Sequence, residues 1–113
     1  MKLLIIFDKN IEISPEKVCI HTGHTNREIM FDILSDNNHK TYNLWQENDC
    51  KTVLLRDKIS NKLLDFIKTY PYYNYTIIDA GLDGVFEKGT ILGYAVLVPK
   101  ADETFKRLRT LKF

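Results

Sequence analysis

The chain has 113 residues, 44% hydrophobic and 27% charged, the size and balance of one folded domain rather than a disordered tail. Sixteen Lys and Arg against fifteen Asp and Glu leave +1 at pH 7, so no global basic field announces a nucleic-acid partner. Two cysteines cannot build a disulfide framework, no stretch approaches the roughly 20 apolar residues that span a bilayer, and the run Leu3 to Phe7 is too short for a secretory leader; the expectation is a soluble, reduced, cytoplasmic domain with no membrane contact.

In chain order, residues 2–7 form a near-continuous apolar run that reads as a central strand buried on both faces. Ser14-Pro15-Glu16 supplies an N-cap, a proline at the first helical position and an acid in the first turn. It predicts a helix over residues 15–34, with Gly23 inside it either for packing or at a bend. Residues 35–40 are loop by composition, and 42–46 a short helical turn. A second strand is expected over 51–56, then a helix over 59–70 with Ser60 as a candidate cap, stopped by Pro71. Asn74–Ile78 reads as a third strand ending in Asp79-Ala80-Gly81. A glycine-rich acidic loop follows, then a fourth strand over 90–98, and a last short helix over 102–108.

The order β-α-β-α-β-β-α over residues 1–113 predicts a single three-layer α/β domain with a four-stranded mixed sheet and helices on both faces. Helical connections argue for mainly parallel strands, and the roughly ten-residue link between the last two argues for one hairpin. In such sheets a site lies at the carboxyl ends of the strands, which draws attention to Asp8, Asp57 and Asp79.

Of these Asp79 carries the clearest signal, since a carboxylate after a buried β run and before two small residues leaves room for a substrate to approach; the alternative is a turn-capping Asp. Lys17, in the first turn of the first helix, suits an anion or an oxyanion, or is a solvated surface lysine. His21 and His24 share a helix face, and with Cys19 and Cys50 they hint at zinc, but the spacing is not that of a metal motif and a pocket or core histidine is favoured. Residues 100–113 hold five basic and two acidic side chains, a modest phosphate-facing patch or a wet helix end. The aromatic run from Tyr70 to Tyr75 reads first as core.

These pieces together resemble the archaeal/eukaryotic-type peptidyl-tRNA hydrolases over nearly the whole chain. The apolar strand from Leu3 to Phe7, Lys17 leading a helix with His24 seven residues later, Asp79-Ala80-Gly81, Gly89-Thr90 before the last strand, and the closing Leu111-Lys112-Phe113 match that family's pattern, with Trp45 ahead of the second strand. Departures are Asp8 for an Arg, Asn10 for an Asp, His21 for a Gln, and Asp83-Gly84 for Thr-Gln. The resemblance implies hydrolysis of the ester joining a peptide to the 3′ end of tRNA, with no cofactor or metal, in a homodimer. It implies Lys17 and Asp79 as catalytic residues and His24, His21, Asp83 and Thr90 in substrate binding. Asp8 and Asp83 leave open a catalytically silent binding module of the same fold, and an Asp79/Asp83 carboxylate pair leaves open a metal-dependent phosphoesterase.

Overall fold

Leu3 to Phe7 are all buried because each face of their strand is covered by a different layer. In the computed structural model, which describes residues 1–111, β1 (Lys2–Asp8) lies inside a four-stranded sheet of order β2-β1-β4-β3, with β2 at Thr52–Asp57, β3 at Asn74–Ile78 and β4 at Ile91–Val98. Alternation along β1 sends Leu3, Ile5 and Phe7 into one core cluster with Val18, Ile29, Ile33 and Trp45. Leu4 and Ile6 enter a second cluster with Ile67, Val96 and Phe105 on the opposite face. The molecule is thus a single α/β domain whose mixed sheet is flanked by helices, as the sequence implied.

On the first face lie α1 (Pro15–Ser35) and α2 (His39–Glu47), and on the second α3 (Asn61–Thr69). The Ser14 hydroxyl accepts the Lys17 amide at 3.2 Å with Pro15 just inside the helix, so α1 starts where the signal placed it. Val18, His21, Thr25, Ile29 and Ile33 form its buried stripe at helical spacing. Ser60 likewise caps α3 through the Leu63 amide at 3.1 Å. No helix of the described residues is long and apolar enough to cross a membrane.

Four expectations need correction. Neighbouring strands are not mainly parallel: β1, β2 and β3 share one direction, but β4 runs against them between β1 and β3, which leaves β1–β2 as the parallel pair. The expected hairpin does join β3 to β4, and it is the seating of β4 against β1 that adds the second antiparallel pair. The helical turn expected over 42–46 is a nine-residue helix, because the Asn38 side chain caps it at the Thr41 amide and Thr41 and Trp45 bury one face. The short helix expected over 102–108 is instead a string of turns closed by Asp102 N–Pro99 O, Lys106 N–Glu103 O and Leu108 N–Phe105 O bonds, which drop Phe105 into the second core cluster. Gly23 marks neither a bend nor a close contact: α1 runs through it unbroken, and a Cβ there would meet nothing within 4 Å.

The aromatic run divides as core residues do, with Tyr70 on the second cluster, Tyr73 and Tyr75 on the first, and Tyr72 exposed. Trp45 is fully buried and donates its indole N–H to the Lys51 carbonyl at 3.1 Å. Of the closing Leu111-Lys112-Phe113, Leu111 packs on the first cluster, and Lys112 and Phe113 lie outside the described residues.

Candidate active site

The carboxyl ends of β1, β2 and β3 share one edge of the sheet, because β4 alone is reversed, and α1 begins at that edge. A bulge between Ile77 and Ile78 shifts the β3–β4 register just before Asp79. The Asp79 amide still donates to the Thr90 carbonyl, and the Gly89 amide to the Asp79 carbonyl, both at 2.9 Å. The backbone of Asp79 is therefore held by the last rungs of the hairpin while its side chain turns toward α1. Gly81 completes the turn at φ +73°, where a Cβ would lie 2.8 Å from the Lys88 amide nitrogen.

Asp79 is buried, and each carboxylate oxygen has a partner. Oδ1 accepts the Gly81 amide at 2.8 Å; Oδ2 accepts Lys17 Nζ at 2.5 Å and faces His21 Nε2 at 3.3 Å. A carboxylate has about four lone-pair sites, so roughly one remains for a water or a substrate group. Lys17 also meets Asp83 Oδ2 at 2.8 Å, and its ammonium lies 5.3 Å from the centre of the Phe86 ring. The Val85 amide steadies the other Asp83 oxygen at 3.1 Å.

The Lys17 ammonium, then the Gly81 amide and His21, hold the Asp79 carboxyl below its ordinary range, against the opposing pull of burial. Asp83 is lowered by Lys17 and the Val85 amide. Lys17 is raised by its bonds to Asp79 and Asp83. All three are therefore ionised at neutral pH, and one ammonium against two carboxylates leaves the cluster one negative charge in excess.

This cluster walls an open cleft of about 220 Å³ that also takes in His21 and His24, with Ile20 and Leu82 as an exposed apolar rim. The two imidazoles meet edge to face at 5.9 Å, His21 buried and His24 exposed. The structure thus brings Lys17, His21, His24, Asp79 and Asp83 together. It does not bring the Thr90 hydroxyl to the cleft: that group donates to the Glu87 carbonyl at 2.7 Å and braces the loop.

Asp8 and Asp57 serve turns. Asp8 accepts the Asn10 amide at 2.9 Å, and Asp57 accepts the Lys58 and Arg109 amides at 2.8 and 3.1 Å. Cys19 and Cys50 are free thiols, and among the described residues no group of three His, Cys, Asp or Glu side chains converges to hold a metal ion. Phe86 beneath Lys17 was not anticipated; its only sequence signal is an aromatic residue inside an acidic, glycine-rich loop.

No known protein-family model matches the chain, and no curated protein matches it significantly.

Proposed function

We propose that this chain hydrolyses the ester between a peptide, or an N-blocked amino acid, and the 3′ end of tRNA. The observation that carries the reading is the Lys17–Asp79 pair, 62 positions apart in sequence, closed at 2.5 Å inside an open cleft that His21 and His24 also line. An aminoacyl ester is already reactive, so positioning a water and stabilising negative charge suffice.

In this reading the ionised Asp79 accepts a hydrogen bond from the attacking water and aligns it on the ester carbonyl carbon. Asp79 takes the proton of that water as its oxygen bonds to the carbonyl carbon, Lys17 offers its third N–H to the oxygen on which charge develops, and the proton passes from Asp79 to the ribose oxygen as the C–O bond breaks and the tetrahedral centre collapses. His24, exposed beside the buried His21, is placed to stack on the terminal base, and Ile20 and Leu82 give the acyl side an apolar surface.

A second reading, a catalytically silent binding module of this fold, is favoured by one contact: Asp83 also pairs with Lys17, and a second carboxylate offsets the positive charge that an oxyanion would draw on. Release of N-acetyl-amino acid from N-acetyl-aminoacyl-tRNA, with and without a chelator, separates the two. The hydrolase reading expects release by the wild type, unchanged by chelation and slowed at least about tenfold in Lys17→Ala. A folded wild type without detectable release leaves the binding module; activity abolished by chelation points to the carboxylate pair acting through a metal.

A further inference from the structure

A second cavity opens on the same sheet edge, at the outer corner where β2 ends. Its volume is about 610 Å³ and its lining includes Lys9, Arg56 and Arg109. The Arg56 backbone amide donates to the Arg109 carbonyl at 2.9 Å, which brings the turn after Phe105 up against β2. The Arg56 guanidinium donates through Nη2 to the Ile11 carbonyl at 2.9 Å, while its Nε is buried and has no partner among the described residues. A buried donor without an acceptor marks a place where an acceptor belongs.

None of these three cations forms an ion pair among the described residues. The carboxylates adjoining them in sequence, Asp8 and Asp57, are engaged by backbone amides. Three cations in a concave site without an ion-pair partner among the described residues, two of them guanidinium groups, match a phosphate group in charge and in donor geometry. The overall charge of +1 conceals this, because the excess is local.

The location gives the phosphate its source. Arg56 contacts the segment that leads into α1, so the cavity and Lys17 lie along one continuous edge. β2 and β3 are three strand spacings apart in the sheet order, or about 14 Å. That span suits a backbone phosphate a few nucleotides from a 3′ end held at Asp79.

We propose that Lys9, Arg56 and Arg109 form a phosphodiester subsite for the single-stranded end of the RNA whose terminal ester lies in the Lys17–Asp79 cleft. The proposal rests on the peptidyl-tRNA reading for its ligand, and the test separates the two. Lys9 and Arg109 are exposed, so K9E/R109E changes charge without touching the core, and K9Q/R109Q serves if charge reversal impairs folding.

The measurement is fluorescence anisotropy of an uncharged RNA hairpin with a single-stranded 3′ end, titrated over a range of salt, beside hydrolysis of N-acetyl-aminoacyl-tRNA. Expected are a loss of affinity of about tenfold or more and a slope of log affinity against log salt shallower by about 1.4, from two lost single-strand phosphate contacts. Affinity and slope equal to wild type overturn the subsite, even if hydrolysis proceeds and depends on Lys17. RNA binding that weakens as expected in a protein that hydrolyses nothing upholds the subsite and rejects the hydrolase. Inorganic phosphate is titrated separately, observed at the Arg56 Nε–H by NMR. Phosphate binding with RNA binding indifferent to both variants identifies a free-anion site and overturns the proposal.

Discussion

Gly93 on β4 leaves no room for a side chain against the β1 backbone, and replacing it with alanine measures how the sheet holds the site. It pairs with Phe7 on one side and Ile77 on the other, next to the bulge that precedes Asp79. A Cβ built there would lie 2.1 Å from the Ile6 carbonyl oxygen and 2.9 Å from the Phe7 Cα. The closest ordinary carbon–oxygen approach is about 3.3 Å, so β4 must retreat by about 1.2 Å from a backbone that has no side-chain freedom to yield. Overpacking of about 1–3 kcal/mol and two weakened ladder hydrogen bonds of about 1 kcal/mol each give a cost of about 3–5 kcal/mol. That is a large fraction of the about 5–15 kcal/mol that holds a domain of this size. At an unfolding entropy of about 2.1 cal/mol/K per residue, Tm falls by about 12–20 °C. Thermal denaturation followed by far-UV circular dichroism reads it directly. A Gly93→Ala protein melting within about 3 °C of wild type refutes the close approach and the bulge geometry built on it.

Gly23→Ala tests the opposite case: with nothing within 4 Å of the new Cβ, helix propensity alone acts, and urea unfolding shows a gain of about 0.8–1.0 kcal/mol. Asp83→Asn removes the second carboxylate from Lys17, and the initial rate of N-acetyl-amino acid release from the tRNA ester rises several-fold at low salt; a fall instead makes Asp83 part of the catalytic machinery. The pH profile follows from the shifts: with Asp79 lowered and Lys17 raised, kcat/KM for the same ester stays level across neutral pH. It drops on the acid side only below the ordinary aspartate value of about 3.9. Stability has the same sign, because the contributions of the lowered Asp79 and Asp83 are complete above their unfolded values and are lost as pH falls through their folded ones; urea unfolding therefore shows Asp79→Asn less stable than wild type at neutral pH, with the gap narrowing in acid, and a gap independent of pH would refute the paired carboxylate.

The elements legible in the sequence are those whose signals are local. Ser14-Pro15 and Ser60 state their helix starts in a few residues, and the doubly buried β1 announces itself as an unbroken apolar run. The Asn74–Ile78 strand is bounded by Pro71 before it and Asp79-Ala80-Gly81 after it. What stayed hidden depends on distant partners. The reversal of β4 was legible in the short link after β3, but its place between β1 and β3 comes from pairing across the sheet, which no window of sequence contains. The turns after Pro99 carry a helix-like composition, but Asp102 is drawn to the Thr104 amide and to the Tyr70 hydroxyl, and Phe105 to the core. At the cleft, Lys17 and Asp79 were separately visible as a helix-leading lysine and a strand-ending carboxylate. Their contact, the double occupation of Lys17 by Asp83, and Phe86 beneath the ammonium come only from the way the loop after β3 folds back on α1. Thr90, which the resemblance implied, reaches the site only through its backbone: its carbonyl takes the Asp79 amide, while its hydroxyl is spent on the Glu87 carbonyl.

The Lys17–Asp79 pair is the centre of the account, and a double-mutant cycle on N-acetyl-aminoacyl-tRNA hydrolysis tests it most directly. Lys17→Ala, Asp79→Asn and the double variant are compared with wild type in single-turnover release of the N-blocked amino acid, each checked for native circular dichroism. Groups acting as one unit give strongly non-additive losses: each single variant slows release by about 10²-fold or more, and the double variant is hardly slower than the worse single. Two independent, multiplying losses, or single variants as fast as wild type, would show that the pair seen at 2.5 Å is not the reacting centre.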